Sequence, residues 1–156
     1  MRAARIVGAV ALALAIAGPV SAGEQVPFRG SLSGTATVTP LGGPMVAVEI
    51  SATGTATHLG RFTLRAPHVV NQATLTAVGT YLITAANGDT ITADLAGTAQ
   101  MVEPPNVIAI TETATVTGGT GRFAGATGSI QVTRMFNRAT GVTTGTLEGW
   151  ISPAGS

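Results

Sequence analysis

Apolar side chains return at every second position along almost the whole chain, and this spacing constrains the fold more than any other feature. Over residues 28–38 one face reads Phe28, Gly30, Leu32, Gly34, Ala36, Val38 and the other Arg29, Ser31, Ser33, Thr35, Thr37. A strand turns successive side chains to opposite faces, so this pattern describes a strand buried on one side only. The same alternation runs through Val46, Val48, Ile50, Ala52, then Phe62, Leu64, then Leu75, Ala77, Gly79, Tyr81, Ile83. It continues with Ile91, Ala93, Leu95, Gly97, then Ile108, Ile110, Glu112, Ala114, Val116, then Ile130, Val132, Arg134, Phe136, and a last strand over residues 142–151. No window shows a convincing 3.6-residue period. The expectation is an all-β chain of eight strands with no helix longer than a turn.

The connections carry turn chemistry. Pro40-Leu41-Gly42-Gly43-Pro44 reads as a loop, and Glu103-Pro104-Pro105-Asn106 cannot be strand interior. Asn87-Gly88 is a hairpin signal, and Arg138-Ala139-Thr140-Gly141 fits a four-residue loop. Such short links pair sequence neighbours antiparallel. If Ala85 and Asp89 close the Asn87-Gly88 loop, Ile83 faces Ile91, Tyr81 faces Ala93, Gly79 faces Leu95 and Ala77 faces Gly97. Large residues then meet small ones on one face, as a packed interior requires.

Charge bears on whether the strands form a closed barrel or a sandwich of two sheets with open edges. The chain has 156 residues, which suggests one domain, and charged residues make up only 10%. Exposed sheet edges are commonly protected by lysine or inward-pointing charge. All eight basic residues here are arginine and there is no lysine. An eight-stranded antiparallel barrel, closed or nearly so, removes the need for such protection.

Composition excludes several functions. Cysteine is absent, which rules out disulfide scaffolds, cysteine-based zinc or iron–sulfur sites and a cysteine nucleophile. No basic patch offers an electrostatic footprint for nucleic acid. Residues 1–22 read as a signal peptide. Arg2 and Arg5 precede an apolar run over residues 6–17, Gly18-Pro19 breaks any helix, and Val20-Ser21-Ala22 supplies small residues for cleavage. The run is shorter than the ~20 residues of a spanning helix, so no membrane anchor is expected after cleavage. Residues 23–156 then form a single barrel domain, secreted or periplasmic.

Residues 118–128 read Gly-Gly-Thr-Gly-Arg-Phe-Ala-Gly-Ala-Thr-Gly. This segment resembles the G-G-T-G-x-F-x-G-A-x-G stretch that joins two late strands in the allene oxide cyclase and dirigent barrel superfamily. Residues 54–63, Gly-Thr-Ala-Thr-His-Leu-Gly-Arg-Phe-Thr, resemble a segment of uncharacterised secreted bacterial proteins associated with the same barrel. The resemblance implies an eight-stranded antiparallel barrel, often homo-oligomeric, whose cavity holds a small apolar molecule. Plant members include a cyclase of an unstable epoxide and proteins that steer radical coupling. Their catalytic residues find no residue-by-residue match here. As a phosphate loop the glycine-rich segment fails, because no Lys-Ser/Thr pair and no helix follow it.

Glu112 and Arg134 interrupt faces that are otherwise apolar. With the hairpin centred near Phe123, Glu112 faces Arg134, Ala114 faces Val132 and Val116 faces Ile130, while Gly145 lies on the other side of Arg134. Buried charge is tolerable only when paired. The two residues read either as an internal ion pair that fixes register or as a polar anchor for a ligand carboxylate or carbonyl. Tyr81, the single tyrosine, faces inward, and its hydroxyl needs a partner. His58 and His68 are the two histidines, too few for a zinc site without close carboxylates, so no metal or cofactor is expected. His58, near the turn before Phe62, suits a loop hydrogen bond. No G-x-S-x-G elbow marks a serine nucleophile.

Three functions remain open: a barrel that binds a small apolar ligand, a cyclase or isomerase working in the same cavity, and a structural or self-assembling surface protein that uses its Thr-rich exterior. The ligand-binding residues expected are Glu112, Arg134 and Tyr81.

Overall fold

A computed structural model describes residues 23–153. The signal peptide expected at residues 1–22 lies outside the described residues. Eight strands follow in order: β1 (Val26–Gly42), β2 (Met45–Ala56), β3 (Gly60–Asn71), β4 (Thr76–Ala85), β5 (Thr90–Val102), β6 (Val107–Gly119), β7 (Thr127–Asn137) and β8 (Val142–Ser152). Each pairs antiparallel with its sequence neighbours, and β1 pairs with β8 to close an up-and-down barrel. The one helical element among the described residues is a 3-10 turn at Gly121–Phe123.

The β4–β5 register is the one expected, with Tyr81 opposite Ala93 and Ile83 opposite Ile91. Ala85 and Asp89 close that hairpin, and Gly88 takes a φ of 93°, a conformation that costs glycine little. The β7–β8 register also agrees, with Arg134 opposite Gly145.

Two expectations need correction. Glu112 faces Val132, and Arg134 faces Ile110, so the β6–β7 pairing sits two residues from the expected register. The cause is the glycine-rich connection. Phe123 is not a hairpin tip; it turns inward on the 3-10 turn and is buried, which moves the centre of the link one residue earlier. A shift of two keeps every side chain on its face. Glu112 and Arg134 therefore become diagonal neighbours, still within reach of each other. Second, Leu75 is not in a strand. It holds a φ of 57° in the turn before β4.

The strands run longer than the alternation suggested. β3 continues through Pro67, whose nitrogen has no hydrogen to donate, and the recorded ladder steps from Arg65–Leu82 to His68–Gly79. The extension carries the inward face on through Ala66 and His68.

The interior is filled unevenly. Phe28, Leu59, Phe62, Phe123, Ala126 and Ile151 plug the end at which β1 begins and β8 finishes. Ile50, Leu64, Ile83, Leu95, Ile130, Val132 and Leu147 fill the waist. Toward the opposite end, Ile108, Ile110, Val48, Val70 and Phe136 are only half buried. The molecule is a cup with a packed base.

Candidate functional site

The open half of the barrel holds a cavity of about 530 Å³. Its walls are mostly aliphatic, including Val46, Val48, Val70, Ile108 and Ile110, with Phe136 toward the mouth. Gln72, Thr76, Thr98 and Arg138 add polar groups to the lining. Its polar residues at depth are His68, Glu112 and Arg134, which are 7%, 1% and 2% exposed.

Each of these three occupies an inward position opposite a glycine. His68 of β3 faces Gly79, Glu112 of β6 faces Gly97, and Arg134 of β7 faces Gly145. A Cβ at Gly97 would lie 2.6 Å from Glu112 Cγ, and one at Gly145 would lie 2.7 Å from Arg134 Cγ. Real Cβ atoms do not approach so closely, so the glycines give the long polar side chains room to fold across the interior.

Glu112 and Arg134 form a two-pronged pair. Arg134 Nε donates to Glu112 Oε2 at 3.0 Å, and Arg134 Nη2 donates to Oε1 at 2.5 Å. Arg134 Nη1 donates to Thr143 Oγ1 at 2.9 Å, and that hydroxyl donates to Met135 O at 3.2 Å. The Tyr81 hydroxyl donates to Glu112 Oε2. Burial alone would lower the Arg134 pKa, but the hydrogen bonds and charge of Glu112 outweigh it and raise it. Burial first, then the Glu112 charge and hydrogen bond, push the Tyr81 pKa well above its ordinary value. Tyr81 is not part of the cavity wall. It is buried and braces Glu112.

His68 is held differently. Its Nδ1–H donates to Ala66 O at 2.9 Å, and this fixes Nε2 as the ring atom with the lone pair. Nε2 has no hydrogen-bond partner among the described residues. Every fully enclosed side-chain nitrogen and oxygen among those residues does have one, so Nε2 keeps some accessible surface, on a buried residue that lines the cavity. Burial lowers the His68 pKa; the Ala66 hydrogen bond and the Glu112 charge only partly offset this. Burial thus favours the neutral ring.

The expected residues Glu112 and Arg134 thus come together at the cavity floor, and Tyr81 joins them from below. His68 was not anticipated there. Two sequence signals point to it: the alternation Phe62, Leu64, Ala66, His68, Val70, and the glycine across from it. His58 takes the expected loop role, with Nε2 3.0 Å from Pro27 O. Among the described residues, no group of three or more His, Asp or Glu is placed to hold a metal ion.

These features define the class, a closed eight-stranded barrel with one packed end and one hollow end. No protein-family model matches the chain, and no curated protein sequence is similar to it at a significant level. Among solved structures the chain is similar to the pterocarpan synthase dirigent protein, with 12% identity and a TM-score of 0.59 over 98% of this chain and 100% of that one. At that identity the likeness is one of fold, and the chain has a dirigent-like barrel.

Proposed function

We propose that this protein binds a small, largely apolar molecule in the open half of its barrel. The observation that carries the reading is the cavity itself: about 530 Å³, mostly aliphatic walls, and a few polar groups converging at depth. Small-molecule sites typically occupy roughly 300–1,000 Å³ and have this make-up. A sheet filled only for stability would pack this half as it packs the base.

The test is binding of Nile red, a neutral apolar dye that brightens when it leaves water. The expected result is saturable enhancement that is lost in Ala77→Phe, which fills the wall, with the far-UV circular dichroism unchanged. Enhancement that survives the filled cavity would refute the reading. Conversion of the ligand in the same space, as a cyclase or isomerase, is the second reading. The described synthase role of the structural neighbour favours it, and so does a neutral imidazole facing the cavity. Export with cleavage after Ala22 is part of the proposal, on the strength of residues 1–22; exported protein whose N-terminus is still Met1 would refute the cleavage, and protein retained in the cytoplasm would refute the export.

A further inference from the structure

The polar groups at the cavity floor differ in what they can still offer a ligand. Arg134 lies there, and a guanidinium ordinarily invites an anion. Its charge is already matched by the two-pronged contact to Glu112, and a third donor is taken by Thr143. A carboxylate reaching the floor would meet the Glu112 carboxylate beside the arginine. Burying an unpaired charge is far more costly than burying a neutral polar group. The Tyr81 hydroxyl is committed to Glu112. His68 Nε2 is the acceptor left without a partner: its tautomer is fixed by Ala66 O, and it sits on a residue 7% exposed that lines the space a ligand can enter.

We propose that His68 Nε2 reads the ligand by accepting a hydrogen bond from it, and that the cavity therefore takes a neutral molecule bearing an O–H donor in preference to a carboxylate. The proposal rests on the ligand-binding reading above and adds to it the chemistry of the ligand's buried end. The lowered His68 pKa agrees with it, because a protonated ring would have no lone pair to offer. The opposing arrangement is also specific. Arg138 lies at the mouth with a contact to Pro105 O at 3.4 Å, and it would hold an anion there if the cavity took one tail-first.

The experiment uses the whole protein and three probes of one chain length: 1-decanol, its methyl ether and decanoate, each competing with Nile red at pH 7.5. The alcohol should bind about fivefold or more tighter than the ether, the usual size of one hydrogen bond. Decanoate should bind weakest. On addition of 1-decanol, the ¹⁵N resonance of His68 Nε2 should shift while that of His58, tied to Pro27 O, stays in place. His68→Phe should equalise alcohol and ether. Equal binding of alcohol and ether to the unaltered protein would overturn the proposal and leave the cavity reading intact. Tightest binding of decanoate, abolished by Arg138→Gln, would overturn it in favour of an anion held at the mouth. Dye binding that none of the three probes displaces would overturn it as well. Failure of the dye itself to bind would remove the ligand-binding reading along with it.

Discussion

Replacing Glu112 by leucine is the most demanding test of the buried network. The carboxylate accepts two hydrogen bonds from Arg134 and one from Tyr81, and its side chain is wholly enclosed. Removing it strands a guanidinium that is 2% exposed, for which broken buried pairs cost about 3–5 kcal/mol. It also leaves the Tyr81 hydroxyl without its acceptor, a further loss of about 1–3 kcal/mol. The sum of roughly 4–8 kcal/mol is a large part of the ~5–15 kcal/mol that holds a typical domain together. Glu112→Leu/Arg134→Met should recover most of the first contribution, because matched apolar residues replace the stranded charge. Adding Tyr81→Phe should recover the second. Urea unfolding followed through Trp150, the single tryptophan, provides the readout for the unaltered protein and for every variant, with Arg134→Met alone completing the cycle. A cost below about 1 kcal/mol for Glu112→Leu, or zero coupling between positions 112 and 134, would refute the picture of an enclosed pair.

Ala93→Leu should destabilise by about 1–3 kcal/mol, because Ala93 packs opposite Tyr81 and is itself buried; a neutral denaturation curve would mean the interior is loose at that level. On the acid side, the unfolded chain takes up a proton at His68 near the ordinary value of 6.5, whereas the folded chain does so only at lower pH. Stability therefore falls as pH falls through 6.5, by at most about 1.4 kcal/mol per pH unit from this residue. The groups acting on the ring are Glu112 of β6, Arg134 of β7 and Glu49 of β2, so His68→Gln should flatten this slope while those groups remain. An unchanged slope would place its origin elsewhere. On the alkaline side, folded Tyr81 keeps its proton where the unfolded chain loses it, so stability falls as pH rises above 10. Urea midpoints measured across that range should show a smaller decline in Tyr81→Phe.

The alternation of side chains made the strands and their number legible, because a half-buried strand writes its period directly into the sequence; the closure was legible in the scarcity of charge and the absence of lysine to guard open edges. The β4–β5 register was legible for a second reason, since Asn87-Gly88 fixes where the loop lies. The β6–β7 register was not, because seven residues separate those strands, and Gly118, Gly121 and Gly125, all at positive φ, let the link take many paths. Only the burial of Phe123, a long-range event, selects one. His68 was obscured by Pro67, which looks like a strand end when read locally. Its role depends on Gly79, eleven residues away, and on a cavity that no linear pattern displays. The ion pair survived the error in register because its two side chains are long enough to meet on a diagonal.

Val26 and Ile151 are partners across the β1–β8 seam, and Ser152 Oγ donates to Gly23 O, so the chain enters and leaves the barrel side by side at the packed base. The cavity opens at the far end. Anything joined to the protein through either of these points, whether a fused domain, an affinity tag or a solid support, attaches behind the cup and leaves its mouth unobstructed. An array of such molecules tethered in this way would present every opening to the surrounding medium, an orientation obtained from the strand count alone. An even number of up-and-down strands must return the chain to the end from which it started.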